Sequence, residues 1–179
     1  MADRINYIKG QAEANTNIAI TLTLKGMYSQ SLTSYIRARN LFLKAGEREG
    51  AAQLLMNCAI TYDFLGNDSL SLSFARAAMK EAKKLKLDSV VSMMLVNYVN
   101  IDASLSSGDA KVYLDIAEKI ANNYKDVRTL MFLKQVKAAT LLDERKNNQA
   151  LPYIIQSLKM AREHSWEYHE MEGLYLQSR

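Results

Sequence analysis

Asn17, Ile18, Ala19, Ile20, Thr21 and Leu22 lie over Asn57, Cys58, Ala59, Ile60, Thr61 and Tyr62 when the sequence is shifted along itself by one fixed step. At the same step Gly26 falls on Gly66, Ser31 and Leu32 on Ser71 and Leu72, and Ala38 on Ala78. A chain that repeats itself in this way, within the roughly 20–50-residue range of helical repeats, folds as a row of like units. None of them can bury its apolar face alone. Each unit reads as two amphipathic helices with the glycine in the turn between them. In the second unit the first helix runs from about Glu49 to Leu65 and buries Leu55, Cys58, Ala59 and Tyr62, spaced by three and four. Asn67, Asp68 or Ser69 caps the second helix, which presents Leu72, Ala75, Ala78, Met79 and Ala82.

The small residues Ala19, Ala38, Ala59 and Ala78 mark where helix axes cross closely, since a bulky side chain there would force them apart. Between units, Gly46 ends a helix in left-handed conformation, Glu47 sits near the next N-terminus, and Asp88-Ser89 caps the third unit. In that unit Leu95, Tyr98, Val99 and Leu105 take the first-helix core positions. Its turn, Ser106 to Asp109, gains two residues before a helix carrying Leu114, Ala117, Ile120 and Ala121. The fourth unit starts near Asp126 with Leu133, Ala138 and Leu141, and turns at Arg145 to Asn148, with Asn147 or Asn148 as cap. Ala150, Leu151, Ile154, Ser157, Leu158 and Ala161 follow, with Pro152 in the opening turn, where a missing N–H costs least. Seven glycines and one proline in 179 residues agree with helices joined by short turns.

The paired helices, small-residue positions and turn glycine resemble the tetratricopeptide repeat family, in the longer repeat form of bacterial signalling and regulatory proteins. The resemblance covers residues 12–85 best, then 126–162, then 90–125. It implies an all-α fold, a superhelical solenoid of antiparallel helix pairs forming one domain over residues 1–179. The expected units are about 5–45, 48–86, 89–124 and 126–163, followed by an unpaired helix at about 165–177. Trp166, Tyr168, Met171, Leu174, Tyr175 and Leu176 crowd that last segment, which reads as the start of a fifth unit rather than a cap.

Chemistry is sparse. There is no glycine-rich phosphate loop, no serine elbow and no zinc-binding helix motif. His164 and His169, read as lying on one helix, point to different sides, and Asp102, Asp143 and Glu144 are carboxylates isolated in the sequence. Cys58, the only cysteine, reads as a buried hydrophobe and rules out an internal disulfide. No enzyme, metal or cofactor is expected. The net charge of +4 is spread out, and the cluster Lys80, Lys83, Lys84 and Lys86 lacks interleaved aromatics, so nucleic acid is not the expected partner. The longest uncharged run, Ser89 to Ile101, is too short to span a bilayer, which takes about 20 helical residues. The compartment expected is the cytoplasm, with a periplasmic repeat region of a truncated, membrane-anchored sensor as the alternative.

What the resemblance offers is a groove lined by first helices, which binds an extended peptide or another protein's helix. Carried onto this sequence, its lining is Asn17, Ile20, Met56, Asn57, Ile60, Phe64, Met93, Asn97 and Asn100. Phe132, Gln135, Val136 and Ala139 extend it in the fourth unit. The family's clamp for a C-terminal carboxylate would fall on Thr16, Ile20, Asn57, Met93 and Asn97, where only Asn57 agrees. Asn17, Asn57 and Asn97 instead recur at the repeat step, twice over, and an Asn amide suits pairing with the backbone of an extended peptide. The expected function is therefore a non-enzymatic binding scaffold, part of a larger bacterial signalling or regulatory protein. The alternative is a homodimer through the last helix, with Trp166, Leu174 and Tyr175 at the interface.

Overall fold

A computed structural model describes the backbone of residues 2–102 and 104–179, with every side chain there except those of Ala2, Asp3, Asn6, Asp88, Ser89 and Ser107. Among the described residues the chain is all-helical, as the periodicity requires. Its helices are α1 (Ala2–Leu24), α2 (Tyr28–Lys44), α3 (Arg48–Phe64), α4 (Asp68–Lys84), α5 (Asp88–Ile101), α6 (Ser107–Tyr124), α7 (Val127–Asp143), α8 (Asn147–Glu163) and α9 (Glu167–Ser178). The expected Asp88-Ser89 cap lies outside the described side chains.

The helices fall into two compact units, one ending at Ile101 and the other beginning at Asp102. In the first, each helix from α1 to α5 packs on the next, and α3 also meets α5. In the second, each helix from α6 to α9 packs on the next, and α7 also meets α9. The expected unit 89–124 is divided between them, with α5 in one and α6 in the other.

One turn geometry recurs. Gly26, Gly46, Gly66, Lys86, Lys125, Arg145 and Ser165 all take φ between 54° and 80°. Successive members stand half a repeat apart, except between Lys86 and Lys125, where the gap falls one position short of a full repeat. At each, the next N–H reaches back five residues: Met27 to the Leu22 carbonyl at 2.9 Å, Asn67 to Tyr62 at 2.9 Å, Lys146 to Leu141 at 2.8 Å, Trp166 to Ala161 at 2.9 Å. That bond closes the helix by satisfying carbonyls that have no partner within it. Glycine takes the left-handed conformation without strain, whereas Lys86, Lys125, Arg145 and Ser165 each carry about 1 kcal/mol for it. Arg145→Gly is therefore expected to raise stability by about 1 kcal/mol, and Gly66→Ala to lower it by a similar amount. Urea unfolding followed by circular dichroism measures both.

Packing rests on the small residues. Ala19, Ala38, Ala59 and Ala78 are fully buried. Their closeness lets a serine bridge the hairpin: Ser31 Oγ donates to the Ala19 carbonyl at 2.8 Å and Ser71 Oγ to the Ala59 carbonyl at 2.9 Å. The first core gathers Leu32, Tyr35, Ala38 and Phe42 of α2 against Ala51, Leu54 and Cys58 of α3. The second places Ala138 of α7 against Ala150, Ile154 and Leu158 of α8, with Leu176 of α9.

Three local expectations are corrected. The turn after α5 is two residues longer than the one after α3, as expected, but the extra residues do not come at Ser106 to Asp109: Ser107 already opens α6, one position earlier than a full repeat from Asp68, which opens α4. Instead α5 stops early, at Ile101, and the Asp102 carboxylate accepts from the backbone N–H and hydroxyl of Ser104, which favours a turn over further helix. Leu105 therefore lies in the connection, not in a first helix, and Ser106 caps α6 by accepting from the Asp109 N–H at 3.1 Å. Neither Asn147 nor Asn148 caps α8; Lys146 stands at that position without a side-chain bond. Pro152 is the sixth residue of α8, so its missing N–H falls past the opening turn, in the helix interior.

Candidate binding face

The candidate face is built on the first compact unit by helices α1, α3 and α5. Spacings of three and four place Asn17, Ile20 and Leu24 along one side of α1, and Asn57, Ile60 and Phe64 along the matching side of α3. On α5, Asn97 and Asn100 take the first two of these positions, and the helix ends before the third. The first two rows follow from the repeat step. α3 and α5 touch directly, while α1 and α3 both pack on α2.

Exposure divides the expected lining. Asn17 and Asn100 are exposed, as are Ile20 at 41% and Phe64 at 50%. Asn57, Ile60, Met93 and Asn97 are half-buried. Met56 is 3% exposed, so its side chain belongs to the packing between helices and offers nothing to a ligand. Of the recurring asparagines, Asn97 is partly spent within its own helix, donating through Nδ2 to the Met93 carbonyl at 2.9 Å. Asn17 and Asn57 take part through their backbone, whose carbonyls also accept from the hydroxyls of Thr21 and Thr61. Their amides remain unspent among the described residues.

Sequence reasoning missed Tyr28. Its ring stacks on Phe64 with centroids 5.7 Å apart and planes at 18°, holding the exposed aromatic in one orientation. One repeat further on, its position is held by Asp68, so the recurrence carried no signal for it. Beside Phe64, burial, and then the charge of Asp68, push the Asp63 carboxyl above its ordinary range.

In the second unit Phe132 and Ala139 are half-buried, whereas Gln135 and Val136 are buried. Gln135 is committed to the fold, donating through Nε2 to the His169 carbonyl at 2.7 Å.

Reactive groups are not assembled anywhere among the described residues. No three His, Cys, Asp or Glu side chains stand where they could share a metal ion. His164 and His169, expected from sequence on one helix, do not share one; Ser165 turns between them and both rings lie against Trp166. His164 stacks on that indole at 4.7 Å, and His169 meets it edge-on at 6.3 Å. Burial, and then the charge of Arg128, hold the His169 imidazole below its ordinary range. Burial pushes the Cys58 thiol up to about 12, leaving almost no thiolate at neutral pH. No helix among the described residues is long and apolar enough to cross a membrane. No protein-family model matches the chain, and no curated protein is similar to it.

Proposed function

We propose that the chain is a non-enzymatic scaffold of tetratricopeptide type, whose α1–α3–α5 face holds an extended peptide or a helix of another protein. The observation that carries this reading is the repeated, outward row on α1 and α3. Each presents an unspent asparagine amide, an isoleucine and a large exposed apolar residue at matching positions. An amide supplies both a donor and an acceptor for a peptide backbone, and the apolar residues supply burial. The chain acts within the cytoplasm as the repeat region of a bacterial signalling or regulatory protein; that context rests on the family resemblance alone.

Peptides selected on the chain from a random display library provide the test. Asn57→Ala and Phe64→Ser are each expected to weaken a selected peptide by about tenfold or more, as for a truncated anchor or an unpaired buried amide. Ser73→Ala, on the exposed side of α4, is expected to leave the affinity unchanged. Affinity indifferent to Asn57 and Phe64 would count decisively against the reading.

A further inference from the structure

One end of the candidate face is a corner where apolar surface and carboxylates meet. Leu24 closes α1 and is 73% exposed; Phe64 closes α3 at the matching position. Tyr28, which opens α2, braces the Phe64 ring from one side. Asp63 precedes Phe64 on α3, and Asp68 opens α4. Burial, and then the charge of Asp68, raise the Asp63 carboxyl, and no cation counters them. Neither aspartate side chain makes a hydrogen bond or ion pair among the described residues, and Lys25, in the turn after α1, pairs with neither. The corner lies within the row of helices: α2 packs between α1 and α3, α3 between α2 and α4, and α4 between α3 and α5.

The charge of the lining helices runs against that of the chain. Lys and Arg number 23 against 19 Asp and Glu, yet none of the 23 falls within residues 10–24, 49–75 or 87–110. Those segments hold most of α1, all of α3 but its first residue, and the whole of α5. An apolar surface edged by uncompensated carboxylates is complementary to a cation. Arginine fits it better than lysine, because a planar guanidinium stacks on an aromatic ring and bonds a carboxylate through parallel N–H groups. We propose that the segment held by the α1–α3–α5 face carries an arginine, whose guanidinium lies against the exposed side of Phe64 and pairs with Asp63 and Asp68. The inference rests on the binding reading above and adds the chemistry of the partner, a basic segment of another protein.

Selection from a random peptide display library, run in parallel on the parent chain and on Asp63→Asn/Asp68→Asn, tests it. Peptides from the parent are expected to be enriched in arginine over the input library, and those from the double variant are not. In a synthetic copy of one parent-selected peptide, exchanging its arginine for neutral citrulline is expected to weaken binding about tenfold. Asp63→Asn is expected to weaken the arginine peptide by about as much and to leave the citrulline peptide unchanged, as a direct pair requires. Glu49→Gln removes the same charge about 21 Å away along α3 and is expected to change affinity by less than about twofold. Both aspartate changes relieve repulsion, so the helical circular dichroism is expected to persist. Peptides that need Asn57 and Phe64 but show no excess of arginine would overturn this inference and leave the binding reading standing. So would equal losses in Asp63→Asn and Glu49→Gln. Peptides indifferent to Asn57 and Phe64, or no binders at all, would overturn both.

Discussion

In Ala59→Leu, Cys58 is expected to react with a thiol reagent under conditions where the parent chain does not. Cys58 is buried in the first core beside Leu54 and Tyr35, and burial holds its thiol at about 12. It is therefore protected twice, by access and by protonation, and labels only when the hairpins open. Ala59 is fully buried, and its carbonyl accepts from Ser71 Oγ at 2.9 Å. The larger side chain would push α3 away from its neighbours and pull that carbonyl from the serine. Overpacking costs about 1–3 kcal/mol and the lost buried hydrogen bond adds about 1 kcal/mol. A loss of about 3 kcal/mol corresponds to a labelling rate roughly a hundredfold higher where the chain recloses faster than the opened thiol is labelled. Timed labelling with a chromogenic disulfide reads it, and an unchanged rate would mean that the helices do not meet at this alanine.

The second large effect is expected at Gly173. A Cβ built there would lie 2.7 Å from Leu158 Cδ2 and 2.9 Å from its Cγ. Leu158 is buried in the second core with Ile154 and Leu176, so it has little room to retreat and α9 must lift from α8. Alanine improves helix propensity by about 1 kcal/mol, but a clash at the branch carbon of a buried leucine outweighs that gain. Gly173→Ala is expected to cost a net loss of about 1–2 kcal/mol, and Gly173→Leu clearly more. Gly10→Ala is the internal control. Nothing lies within 4 Å of a Cβ there, so propensity acts alone and stabilises by about 1 kcal/mol. Thermal or urea unfolding that moved both alanine variants in the same direction would contradict the close approach of α8 and α9.

The helices and their buried faces were legible in the sequence because the apolar spacing and the alanines repeat with the same step as the structure. The hairpin serine was visible as a recurrence, Ser31 over Ser71, but its bond to an alanine carbonyl was not. The left-handed turns were legible only where they carry glycine. Lys86, Lys125, Arg145 and Ser165 adopt the same conformation, and their side chains give no local sign of it. The connection after α5 was misplaced because a register gap says only how many residues intervene, whereas Asp102 and Ser104 decide which helix yields them. On the candidate face the repeat located Asn57 and Phe64, but could not tell an outward apolar residue from an inward one such as Met56. His164 and His169 were read as neighbours on one helix because the turn at Ser165 lacks the usual glycine.

Amide hydrogen exchange of the chain with and without a display-selected peptide tests the binding face most directly. The expected footprint is slowed exchange along α1, α3 and α5, centred on the segments holding Asn17, Asn57 and Asn97, and lost in Asn57→Ala. Protection confined to α2 and α4, or to α6–α9, would contradict it.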